Sequence, residues 1–141
     1  MRAAILDLLS GDSTLMATLT GGLYDAGSVG QISRQGTAAA FDANEEILPC
    51  GLLKFSSQGE FGPYEHSSRL FFSVMLYERV GYGSIETARA RVYALLHRER
   101  VTPVSGGCWE IRHADDVLDV QDEALGCSLA VSRFWAVVNR G

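Results

Sequence analysis

The chain of 141 residues has no run approaching the roughly 20 apolar residues that cross a bilayer. Its opening stretch, MRAAILDLLSGD, carries Asp7 inside the apolar part, so neither a transmembrane helix nor a signal peptide is expected. Cysteine is scarce: Cys50, Cys108 and Cys127 are odd in number, widely spaced and set in apolar, strand-like contexts. Buried free thiols in a protein made in the cytoplasm are expected, and a disulfide framework is not. Basic residues are in deficit, 12 Lys and Arg against 17 Asp and Glu, for a net charge of −5. That balance disfavours a nucleic-acid reader held on by phosphate contacts. An acidic protein can still surround DNA without gripping it.

Catalytic motifs are missing as well. His66, His97 and His113 fall on different expected elements, and no HExxH, CxxC or His-x-His spacing exists to hold a metal. Cys108 and His113 stand five apart on one strand pattern, which puts them on opposite faces and argues against a nucleophile–base pair. The 15 glycines never form a phosphate loop of the GxxxxGK[ST] type or a GxSxG elbow, and Gly81 and Gly83 lack the third glycine of a dinucleotide loop. No catalytic residue, cofactor or metal is assigned, and an enzyme is not expected. The enzyme alternative, a small ligand-processing domain, would need Cys108, His113 and the acidic residues that follow them to converge in a pocket.

What is present describes a folded domain. Forty-seven per cent of the residues are apolar and 21 per cent charged, which argues against disorder. The length fits one domain over residues 1–141, and a domain of this size buries about two-thirds of its unfolded surface.

The most informative stretch runs from Arg69 to Pro103. Even positions Leu70, Phe72, Val74 and Leu76 make a uniformly apolar strand face, while odd positions Phe71, Ser73, Met75 and Tyr77 make a mixed one that calls for a cover. After the turn Val80-Gly81-Tyr82-Gly83, Ser84 is expected to cap a helix whose first turn holds Glu86 and whose end holds His97, Arg98 and Arg100. Ile85, Ala88, Val92, Leu95 and Leu96 form its apolar stripe. Arg91 and Arg98 share one flank, and Arg89 with Tyr93 borders the other. These arginines read either as solvated or as a subunit contact.

Elsewhere the pattern gives a first helix around Ala4 to Leu9 stopped by Gly11, then a short one from Ser13 to Leu19 with Asp12 as its cap. Residues 25–46 form a long loop or insertion, with a short helix around Thr37 to Ala43. A strand is expected from Ile47 to Ser57, a projecting connection from Gln58 to Ser67, and a turn at Pro103 and Gly106-Gly107. Trp109, Ile111 and His113 alternate as a strand that continues past a bulge through Val117 to Gln121; Asp122 to Gly126 turns, and Cys127 to Asn139 is the last strand. The adjacent Phe134 and Trp135 imply a register slip or two covered faces. The resulting class is α+β: a four-stranded, mainly antiparallel sheet in the order α-β-β-α-β-β, with the helices on one face. The other face wants either a second subunit or the folded-back loop. Asp115, Asp116, Asp119, Asp122 and Glu123 read as a solvated hairpin end, or as a loop that lines a channel and repels phosphate.

Four pieces in order carry a resemblance: LLSGDSTLMATLTGGLYDA, LPCGLLKFSS, FFSVMLYERVGYGSIETARARVYALLH and DVQDEALGCSLAVSRFWAVV. Together they resemble the tail terminator (tail completion) proteins of long, flexible-tailed phages and related prophages, over most of the chain. The 25–46 segment departs from that pattern, being longer than the usual link, so no family contact is carried onto it. The resemblance implies a virion protein, made in the bacterial cytoplasm, that assembles with itself, commonly as a hexameric ring, on the head-proximal end of the tail tube. There it would stop tube polymerisation, meet the tube protein and the head connector, and let genomic DNA pass without specific binding or any membrane. A stopper or tube protein of the same particle is the alternative. On this reading Phe71, Met75, Tyr77, Arg91 and Arg98 are subunit-interface candidates, and the acidic residues 115–123 a lumen-facing or docking loop.

Overall fold

The computed structural model describes residues 2–61, 64–100 and 108–139, with the side chains at 57–61, 64–67, 108–109 and 138–139 left aside. The expected turn at Pro103 and Gly106-Gly107, and the side chains of His66, Cys108 and Trp109, lie outside the described residues.

Helices α1 (Arg2–Ser10) and α2 (Ser13–Thr18) form the N-terminal corner. Asp12 caps α2 as expected, its carboxylate accepting from the Leu15 N–H at 2.8 Å. Gly22, at φ 97°, turns the chain into a short strand, β1 (Leu23–Asp25), and then into α3 (Ala26–Val29). A 3₁₀ turn at Ala38–Ala40 replaces the longer helix expected near Thr37. The hairpin β2 (Cys50–Phe61) and β3 (Tyr64–Glu78) follows, then α4 (Gly83–Leu96), β4 (Cys108–Asp122) and β5 (Cys127–Asn139).

The sheet has five strands, not four, in the order β1-β2-β3-β5-β4. The extra strand, β1, is parallel to β2 (Leu23 opposite Gly51), and the remaining pairs are antiparallel. Glycine at 51 lets the Leu23 side chain lie close against β2, since a Cβ there would meet Leu23 Cδ1 at 2.8 Å and push it aside. The expected projecting connection at 58–67 is also corrected: the ladder continues to Phe61 opposite Tyr64.

The apolar periodicity of β3 and α4 builds the main core. Leu70, Phe72, Val74 and Leu76 of β3 meet Ile85, Ala88, Val92 and Leu96 of α4, with Ile5, Leu9, Leu15 and Leu19 closing the N-terminal side. Phe72 stacks on Phe134 of β5 at 5.6 Å between centroids and on Phe55 of β2 at 5.4 Å. No slip occurs at Phe134 and Trp135. The β3–β5 register runs unbroken from Ser67 opposite Asn139 to Glu78 opposite Ser128, so Phe134 belongs to the helix face and Trp135 to the other.

That other face carries a second, smaller core of Ile32, Ala40, Ile47, Cys50, Leu52, Tyr77, Cys127 and Leu129. The segment after β1 folds back over it and satisfies its own backbone. Thr37 and Ser33 exchange bonds, Asp42 accepts from the N–H groups of Asn44 and Glu46, and Leu48 donates to Ala40 at 2.8 Å.

Candidate functional site

The odd positions of β3 divide into two halves. Tyr77 is buried at 4% exposure and Met75 half-buried, both covered by the chain's own 26–47 segment. Phe71 lies beyond that cover, half-buried beside Trp135, with the Arg69 guanidinium 5.0 Å from the Trp135 ring centroid. Part of the cover expected over this face is therefore intramolecular.

Ser84 does not cap α4. The cap residue is Tyr82, and the free N–H groups of Ser84 and Ile85 donate to Glu78 Oε2 at 2.9 and 3.2 Å. A carboxylate from the end of β3 thus does the work expected of a local hydroxyl, and places a negative charge at the positive end of the helix. Arg91 is committed within the chain: its guanidinium grips the Asp12 carboxylate at 2.7 and 2.8 Å, joining α4 to the start of α2. The hydrogen bonds from Arg91 hold the Asp12 carboxyl down at about 2. Arg98 is exposed and left-handed, at φ 66° just past the helix, and its N–H donates to the Ile111 carbonyl of β4 at 2.7 Å.

The acidic run is not a loop. Four of its members lie within β4, and only Glu123 stands in the turn. Asp115 pairs with Arg133 across the β4–β5 ladder. Asp116 is a hub that accepts from Arg89 at 2.7 Å, from the Ser132 hydroxyl at 2.7 Å, and bonds the His113 ring at 2.9 Å. Burial pushes the Asp116 carboxyl up, but the bonds from His113, Ser132 and Arg89 outweigh it and leave it below the usual range. Asp122 accepts from the Leu125 N–H in the turn. Asp119 and Glu123 have no ion pair among the described residues.

Serine, histidine and aspartate do meet here, but in an order unlike a hydrolytic triad. Both Ser132 and His113 address Asp116, so the serine hydroxyl points to the carboxylate and not to the imidazole that would serve as base in a triad. His113 also lies edge-on to Phe134 and Tyr93, while its backbone N–H donates to His97 Nδ1 at 3.1 Å. The two described thiols are equally quiet: burial pushes Cys50 up to about 12 and Cys127 to about 11. Among the described residues no group of three or more His, Cys, Asp or Glu is placed to hold a metal ion, and no helix is long and apolar enough to cross a membrane.

The sequence reading did not find one concave feature. A groove of about 380 Å³ lies where residues 30–34 overhang the sheet, with Leu52, Met75 and Tyr77 as its floor and Arg34, Lys54 and Asp122 around it. Its only sequence signal is the alternation of β2, which sets Leu52 and Lys54 on one side.

No protein-family model matches the chain, and no curated protein matches it. Among solved structures, a chain of the virion of a native gene transfer agent particle superposes with a TM-score of 0.75 at 15% sequence identity. The match covers 99% of this chain and 94% of that one, so the two share this α+β fold almost end to end.

Proposed function

We propose that the protein is a structural virion component, and within that class a tail terminator. Copies of it would form a ring on the head-proximal end of the tail tube, end tube growth and present a docking surface to the head connector. The observation that carries this reading is the near-complete fold match to a chain of a virion particle, together with the ordered resemblance of the sequence pieces. Two features of the chain support it. The polar cluster at Asp116 is spent on structure, the carboxylate serving Arg89, Ser132 and His113 together. Half of one sheet face, around Phe71 and Trp135, keeps partial exposure and belongs to neither core among the described residues.

On this reading the lumen-facing charge comes from Asp119, Asp122 and Glu123, because Asp115 and Asp116 are neutralised by Arg133 and Arg89. Three carboxylates per copy without an ion pair among the described residues, repeated around a ring, would repel DNA phosphates and let the genome slide. Deleting the gene should give tails of uncontrolled length and heads without tails in electron micrographs. Normal tails on normal heads would overturn the proposal, and loss of heads alone would point to a stopper instead.

A further inference from the structure

Strand β4 is the last in the sheet, so the N–H and C=O groups along its outer side have no strand among the described residues to pair with. The chain leaving α4 supplies partners instead. The Arg98 N–H donates to the Ile111 carbonyl at 2.7 Å, and the Ile111 N–H donates to the Glu99 carbonyl at 2.9 Å. The next outward donor, the His113 N–H, is taken not by backbone but by Nδ1 of the His97 ring, at 3.1 Å. One side chain thus carries a short backbone pairing one bond further along an open edge. An edge whose donors stand free is a template for another chain, so this closure matters beyond the helix it ends.

The bond fixes the charge of His97. A ring nitrogen accepts only while it carries no proton, so the bond exists with His97 neutral and its hydrogen on Nε2. The surroundings agree. The ring lies nearly flat on Tyr93, one turn back in α4, at 4.7 Å between centroids. A positive charge there would stand beside Arg98, and beside Arg112 and His113 of β4. Glu110 is the carboxylate that opposes these cations, and it is already paired with Arg112. The carbonyl end of α4 favours a cation, yet partial burial first, and then those cations, hold the His97 ring below the usual histidine value.

We propose that His97 is an acid-released latch on the outer edge of β4, closed while the ring is neutral and opened when Nδ1 takes a proton. Protonation turns the acceptor into a donor facing a donor, so the ring must leave the His113 N–H. The open latch takes its proton at the ordinary value of about 6.5, and the closed one only below it. Closure is therefore fully present well above that value and is lost as the pH falls through it, the loss levelling off once the closed form too would be protonated. The far side of His113 stays fixed, because its ring is bonded to Asp116, which also holds Arg89 of α4 and Ser132 of β5. The edge opens without parting the helix from the sheet. The latch is independent of the tail-terminator reading, since it is made of bonds within one chain.

Amide exchange followed by NMR on the purified chain tests this, with His113 compared against Val74 in the central strand β3. Between pH about 7.5 and about 5.5, either side of the ordinary histidine value, the His113 N–H should lose protection after correction for intrinsic exchange, while Val74 keeps its own. His97→Ala should leave the His113 N–H unprotected at both pH values. His97→Asn, whose side-chain oxygen can accept the same N–H but does not titrate, should keep it protected at both, and circular dichroism verifies the fold of each variant. Equal protection at the two pH values in the wild type, a His97→Ala variant as protected as the wild type, or a His97→Asn variant that loses protection with acid just as the wild type does overturns the latch.

Discussion

The helix-covered face and the opposite face of the sheet are made from alternate residues of the same strands, yet they are closed by different means. On the first, the stripes of α1, α2 and α4 meet an unbroken apolar set from β2, β3 and β5, and the large side chains Phe72 and Phe134 are fully buried. On the second, an irregular segment covers one half by bonding mostly to itself, and the other half keeps Phe71 and Trp135 at partial exposure. Periodic elements bury a face with little loop entropy per contact, whereas a covering loop must be ordered residue by residue. The first face specifies the fold, and the second is the one the chain closes only in part.

If that contrast holds, the largest effect should come from Phe134→Ala. Removing a fully buried ring stacked on Phe72 should cost about 3–5 kcal/mol in urea unfolding. Ile32→Ala, under the covering segment, should cost about 2 kcal/mol in the same assay, at the low end for an aliphatic truncation, because the segment can settle into the gap. Equal losses at the two sites would break the comparison. Glu78→Ala, which frees two N–H groups at the start of α4, should cost about 1 kcal/mol and lower the thermal midpoint by a few degrees.

A smaller effect is expected from acid. The Asp12 carboxyl sits near 2 in the folded chain against roughly 3.9 when unfolded. Its contribution is fully present above pH about 4 and is lost as the pH falls through the window between those values, because the unfolded chain takes up the proton first. Arg91→Met should flatten that stretch of the stability–pH curve, and an unchanged slope would show that the pair contributes nothing.

How much of this was legible in the sequence follows from the range of the interactions. The β3 alternation and the α4 stripe could be read because each is a local period, and the caps and stops at Asp12 and Gly11 because they act within a few residues. Strand β1 was missed because three residues carry no period and pair in parallel with β2, more than 25 positions away. Ser84 was a wrong cap because the acceptor came from across the turn. The 58–67 connection looked like loop from its Gly, Ser, Gln and Pro content, but pairing across the hairpin overrode composition. Of the site, the residues at 115–123 could be named from sequence. Their neutralisation by Arg89 and Arg133, and the groove at Lys54, depend on tertiary pairing that no spacing encodes.

The Arg91 grip on Asp12 joins positions 79 residues apart. On a ribosome adding about 5–20 residues per second, the N-terminal helices wait roughly 4–16 s for that partner to be made. Through that interval Ile5, Leu9 and Leu15 have no α4 to pack against, and β5, which completes the floor beneath them, is made later still. The first helices are thus the part of the nascent chain that waits longest for its packing partners.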